Sequence, residues 1–165
     1  MSELRTNKIY PRDGLPAGAS GGGIIQVVEA FDYTASIISS STFVDTGLSA
    51  SITPTSASNK ILVYVSHNIH KYSTNNYGHL ALFCNHTGSY TNVGYIDDLI
   101  GYTNNTESAV HRPNAMILHS PATTSTITYK TQVLVSSGGT LTINADASSG
   151  SEQSRGSMVL MEVSG

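Results

Sequence analysis

From Ile24 onward the apolar residues of this chain recur at every second position, and Val, Ile, Thr and Tyr dominate the apolar-rich stretches. Successive side chains of an extended strand point to opposite faces, so this period describes strands with one face inward and excludes amphipathic helices as the building block. Residues 60–70 are the clearest case: Ile61, Val63, Val65 and Ile69 share one face, while on the other Leu62 and Tyr64 give way to Ser66 and Asn68. Residues 125–137 repeat the pattern, with Ile127, Tyr129, Val133 and Val135 opposite Thr126, Thr128, Lys130 and Gln132. Gly138-Gly139 and the run 140–146 that follows predict a hairpin with that strand. Further strands are expected over 24–33, 42–52, 78–84, 90–96, 115–119 and 157–163, separated by Gly, Pro and Asn clusters. About eight or nine strands with polar turns and no amphipathic helix predict an all-β, jelly-roll-like antiparallel β-sandwich over residues 24–165.

At 165 residues the chain has room for a single such domain, because a chain near 150 residues buries roughly 68–70% of its unfolded surface. Residues 1–23 read differently. Pro11 and Pro16 restrict the backbone, and the run from Gly18 to Gly23 supplies a swivel, which describes an extended N-terminal docking arm on a Gly-rich hinge.

Composition removes several classes of function. Charged residues are 12% of the chain against an ordinary value of about 25%, and Ser, Thr and Asn, roughly a third of the residues, build the polar surface instead. The net charge is −3 and the eight Lys and Arg form no run, so there is no basic footprint for nucleic acid. No apolar run approaches membrane-spanning length and no hydrophobic signal segment opens the chain, so a soluble protein with neither membrane insertion nor secretion is expected. Cys84 is the one cysteine, which excludes an intrachain disulfide, a CxxC redox motif and a Cys-rich zinc site.

No catalytic constellation, cofactor motif or metal-ligand spacing stands out. His67, His70, His79, His86, His111 and His119 show no HExxH pairing, and a metal held by several of them on a symmetry axis is a minor expectation. Asp97 and Asp98 point to opposite faces of an extended backbone and cannot share a general acid/base site. The glycines 18–23 precede a strand and lack the Lys-Ser/Thr of a phosphate loop, and no GxSxG occurs.

Two features point to association. The consecutive apolar positions Leu80 to Cys84 and Met158 to Met161 need cover on both faces, which a second subunit meeting Leu80, Leu82, Met158 and Leu160 would supply; loops or the arm of the same chain are the alternative. Between residues 72 and 112, Tyr72, Tyr77, Tyr90, Tyr95 and Tyr102 intersperse with Asn75, Asn76, Asn104 and His111. Rigid amphipathic rings beside adaptable hydrogen-bonding side chains make a binding surface of the kind that meets proteins or sugars.

The opening Ser2-Glu3-Leu4-Arg5-Thr6-Asn7-Lys8-Ile9-Tyr10-Pro11-Arg12-Asp13-Gly14, with Ile24-Ile25-Gln26-Val27-Val28 after the glycines, resembles the start of virion appendage proteins of marine tailed phages. Thr42 to Leu48, Ile52-Thr53-Pro54, Ser58 to Val63 and Val159 to Val163 are similar to recurrent segments of phage tail-fibre and related structural domains. The resemblance covers nearly the whole chain. It implies a non-enzymatic, homotrimeric virion protein, made in the host cytoplasm, whose arm docks on other virion proteins through Leu4, Asn7, Ile9, Tyr10 and Pro11. The loops carrying Tyr72, Asn75, Asn76, Tyr77, Tyr90, Tyr95, Tyr102, Asn104 and His111 would then meet a host surface glycan or protein. The chain departs from long tail fibres in having no shaft, which keeps open a capsid or tail decoration (cement) protein. A free-standing carbohydrate-binding module fits the docking arm less well, and a depolymerase fits the sparse carboxylates least.

Overall fold

A computed structural model describes residues 23–71, 77–100, 109–136, 138–145 and 154–165. Eight long strands carry the domain: β1 (Ile24–Asp32), β3 (Val44–Ile52), β4 (Lys60–Ser66), β6 (Gly78–Cys84), β7 (Thr91–Ile100), β9 (Asn114–His119), β10 (Ile127–Val135) and β12 (Gly156–Val163). They form two antiparallel sheets, in the orders β1-β12-β4-β9 and β3-β10-β6-β7. Apart from the β6–β7 hairpin, every connection between successive long strands crosses from one sheet to the other. This is the strand order of a jelly roll, two interleaved Greek keys, as expected from the number and spacing of the strands.

Four short strands, β2 (Ser36–Ile38), β5 (Ile69–Lys71), β8 (Ala109–His111) and β11 (Leu141–Ile143), come one from each of the four crossovers at one end of the sandwich. They pair in the order β2-β11-β5-β8, repeating the order of the long strands on either side. The expected hairpin between residues 125–137 and 140–146 is therefore not formed. Gly138, with φ of 79°, turns the chain away from β10, and β11 pairs with β2 and β5. Leu141 and Ile143 gain complete burial there, beside Val133, Val135, Ile69 and Ile38, and that burial outweighs a local turn with one exposed edge. The run 60–70 likewise breaks at His67-Asn68 into β4, in the first long-strand sheet, and β5, in the sheet of short strands.

Cross-strand rows show how the alternation fills the interior. Residues directly opposite one another share a face, so Val28-Leu160-Val63-Ile117 and Ala30-Met158-Val65-Ala115 are two inward rows of the first sheet. They meet Leu48, Ala50, Ile52, Leu82, Ile127 and Tyr129 of the second. A polar layer separates this main core from the smaller one under the short strands. His67 Nε2 meets Thr131 Oγ1 at 2.9 Å, and Thr131 Oγ1 meets Thr46 Oγ1 at 2.6 Å. Asn144 Nδ2 donates to Asp32 Oδ2 at 3.0 Å. Gly47, at φ of 100°, lies so close to the Asp32 carboxylate that a Cβ there would meet Oδ2 at 2.6 Å, so this crossing requires glycine.

At the opposite end, Glu162 is fully buried and ties several segments together. Its carboxylate accepts from Gln26 Nε2 (2.6 Å), Asn59 Nδ2 (2.6 Å), Thr55 N (2.7 Å) and Thr55 Oγ1 (2.8 Å). Burial works against ionisation, but these donors outweigh it and hold the carboxyl at about 2, below the usual 4.5. Ser164 N bonds Gly23 O here, so the chain enters and leaves the sandwich side by side.

Leu160→Ala is expected to cost about 2–5 kcal/mol, read by urea unfolding, because the surrounding rows cannot collapse into the space. Burial holds the His67 imidazole at about 4 instead of 6.5, with Asp32 opposing the shift. Between these values the unfolded chain takes up a proton that the folded chain refuses. The His67 contribution to stability should therefore fall as the pH drops from 6.5 toward 4, by about 3 kcal/mol in all, and level off below, where loss of the Glu162 contribution takes over. Unfolding curves at pH 7 and 4.5 should show this slope in the unsubstituted protein and its loss in His67→Gln.

Candidate functional site

The jelly roll gives the molecule two broad outer faces and two ends, and the residues singled out in the sequence distribute among them. On the first sheet the outward rows are Val27-Met161-Leu62-Leu118 and Glu29-Val159-Tyr64-Met116. Met116 is 65% exposed, Val27 57% and Leu118 56%. With Phe31 these side chains form a continuous apolar sheet face in which Glu29 is the one charged member of the two rows; Arg155 lies over the Phe31 ring at 4.4 Å, and Met116, Val27 and Leu118 stay open. A contiguous patch of this sort marks an association surface.

This face corrects the expected subunit interface. Leu80, Leu82, Met158 and Leu160 are all fully buried inside the sandwich, where they meet residues of their own chain and no second subunit. The reading that β12 needs cover on both faces holds for its other residues, because Val159 and Met161 belong to the outward rows. On β6 the chain covers its own outer face: Ala81 is fully buried, and Phe83 packs against Phe43 with ring centres 5.3 Å apart.

The outer face of the second sheet is polar and aromatic. Tyr77, His79 and Tyr95 stack in series, with ring centres 5.2 and 6.3 Å apart, and Tyr95 reaches Phe43 at 6.4 Å. Asp98 Oδ1 lies 2.6 Å from His79 Nδ1. Beside this series a groove of about 300 Å³ is lined by Asp45, Gly47, Leu48, Ser49, Tyr90 and Lys130. Lys130 Nζ sits 2.9 Å from Asp45 Oδ2 and 3.9 Å from the centre of the Tyr90 ring, and Gln132 Nε2 donates to Asp45 Oδ1 at 2.6 Å. Burial opposes ionisation of Asp45, and Lys130 and Gln132 outweigh it and hold the carboxyl below the ordinary value. The groove offers a ring face, a carboxylate, an ammonium and a hydroxyl. That set can hydrogen-bond and stack a polar ligand, and it contains no nucleophile with an adjacent base.

The predicted binding loops thus fall in three places. Tyr77 and Tyr95 share the aromatic series, and Tyr95 lies within β7 instead of on a loop. Tyr90 sits on the β6–β7 turn, at the end where the chain enters, and His111 lies half-buried in β8 at the other end. Tyr72, Asn75, Asn76, Tyr102 and Asn104 lie outside the described residues, as do the docking residues Leu4, Asn7, Ile9, Tyr10 and Pro11. Sequence reasoning missed Phe43, Asp45, Ser49 and Lys130, whose proximity follows from the β3–β10 register. The one available signal was their outward parity on strands with a buried opposite face.

No family model matches the chain, and no curated protein matches it. Among solved structures it is similar to the VP2 subviral particle of infectious bursal disease virus, at 12% identity and a TM-score of 0.45 over 84% of this chain and 39% of that one. A mutant VP2 from derived T=1 particles gives 12% identity and 0.46, with 84% and 36% covered. The Gx strain of the same virus gives 12% and 0.45, with 84% and 38% covered. The chain thus spans less than two-fifths of the length of each. Its own strand order, and not this distant likeness, defines it as a jelly roll.

Proposed function

We propose that the chain is a non-enzymatic structural protein of a phage virion, tail-fibre-like, anchored by residues 1–23 and presenting its jelly roll to the host surface. The observation that carries this reading is the polarity of the fold. The arm joins β1 at Ile24, beside the Glu162 cluster and the C-terminal residues. The Tyr- and Asn-containing segments 72–76 and 101–108 fall in the chain between Lys71 and Tyr77 and between Ile100 and Ala109, and these flanking residues lie at the crossover end, far from that junction. One end is then free to dock while the other faces outward. A surface built from hydroxyls and amides, with few charges, suits a protein that meets other surfaces without binding polyanions.

The outward apolar face of the first sheet supports self-association, with a homotrimer as the reading that follows from the resemblance. The same face favours a second reading: a decoration protein that lays this face on the particle and stabilises it.

The host-recognition reading is tested with labelled full-length protein. It should adsorb to susceptible cells and compete with infection, and Tyr77→Ala with Tyr95→Ala should weaken adsorption if the aromatic series contributes. Absence of adsorption at micromolar concentration, together with labelling of the capsid or tail body in intact particles, would favour the decoration reading. For self-association, sedimentation equilibrium should give three chains per particle for the unsubstituted protein and one for Leu118→Lys. A charge at this exposed position should change monomer stability by no more than about 0.5 kcal/mol, so a smaller native mass reports the interface and not unfolding.

A further inference from the structure

We propose that Cys84, His86 and His119 form a binding site for one divalent cation of the zinc class, at the end of the sandwich where the chain enters. Three strand ends bring them together. Cys84 closes β6 and points inward, directly opposite Tyr129 of β10. His86 follows in the β6–β7 turn. His119 closes β9 in the other sheet, on the inward row with Ile61. One ligand atom from each residue lies within 4.8 Å of the others, and the two imidazole rings stand edge to face with centres 4.7 Å apart.

The donor set matches a borderline-soft ion: one sulfur and two imidazole nitrogens, with no carboxylate to favour calcium or magnesium. Zn–S of about 2.3 Å and Zn–N of about 2.0 Å place tetrahedral ligand atoms roughly 3.3–3.6 Å apart. The three groups therefore need a contraction on the order of 1 Å, within reach of rotating the His86 ring on its turn. A fourth position would remain for water or an incoming ligand.

Two further observations point to a ligand here. Nδ1 of His86 is buried and has no hydrogen-bond partner, so the protein leaves a coordinating atom unsatisfied at this place. The surroundings are also arranged as a supporting layer. The Tyr129 hydroxyl lies 2.8 Å from Nδ1 of His119, which fixes that ring and leaves Nε2 as its coordinating nitrogen. Tyr129 lies directly opposite Cys84 in the β6–β10 register, on the same inward face as that sulfur. On binding, the Cys84 thiol would lose its proton to solvent and its sulfur would donate a lone pair to the cation; no redox change occurs. The bound ion would tie the β6–β7 turn to β9, linking the two sheets near the arm junction.

The test uses the reduced, chelator-stripped full-length chain titrated with Co²⁺ as a spectroscopic stand-in. One equivalent should produce a thiolate-to-cobalt charge-transfer band and the intense visible bands of tetrahedral cobalt, both abolished by one equivalent of Zn²⁺. Cys84→Ser should remove the charge-transfer band, and His86→Ala, a turn substitution that leaves the strands intact, should weaken binding at least tenfold. Circular dichroism confirms that each variant is folded. Absence of a charge-transfer band at stoichiometric cobalt, or equal affinity in the unsubstituted protein and His86→Ala, would overturn the site.

Discussion

Two apolar faces meet between the sheets, and the rest of the molecule is arranged around keeping them dry. The inward rows Val28-Leu160-Val63-Ile117 and Ala30-Met158-Val65-Ala115 close against Leu48, Leu82, Ile127 and Tyr129. Burying apolar area of this kind is the main favourable term in folding. A two-layer sandwich is nevertheless open at its ends, where water would reach the core. The four short strands close one end by drawing Ile38, Ile69, Leu141 and Ile143 into a second apolar cluster. The other end is closed by polar groups, the Glu162 network and the Cys84–His86–His119 group.

The Glu162 network illustrates the rule that buried polar atoms find partners. Glu162 of β12 satisfies its carboxylate with four donors from two other segments, which makes it a fastener between β1, the β3–β4 connection and β12. His67 is kept neutral by burial and bonded to Thr131 across the layer between the two apolar clusters. Among the described residues, Glu162, Asn59 and His67 lie where strands end or connect, whereas Thr131 puts a buried hydroxyl at the middle of β10 and meets Thr46 of β3.

The two outer faces diverge because their parity positions carry different residues. On the first sheet the outward rows are apolar and uncovered, so that face suits association. On the second, Asp45, Ser49, Lys130 and Gln132 alternate with buried residues, and the aromatic series lies across the neighbouring strands. One sandwich therefore offers a surface suited to its own kind or to a particle, and another suited to a polar ligand.

Much of the fold was legible in the sequence because a period of two is imposed residue by residue. Ile61, Val63 and Val65 were readable as inward residues, and they are fully buried. Strand order was legible only as an expectation from strand number, and the 125–146 hairpin failed because a Gly-Gly signal does not say which edge the following strand will find. The interface reading failed for a related reason. Met158 to Met161 states that both faces are apolar, but not which face the second sheet of the same chain will cover.

What the sequence by itself determined was local: extended structure, the parity of each strand, the distinct character of residues 1–23, and the absence of charge runs. What only the tertiary structure decided was convergence between residues far apart in the chain. Cys84 and His119 become neighbours because β6 and β9 end at the same mouth of the sandwich, and Asp45 meets Lys130 because β3 and β10 pair. Side-chain alternation is fixed by the geometry of each peptide unit, whereas convergence depends on how the crossovers stack the sheets, and that is set by the burial of the whole core at once.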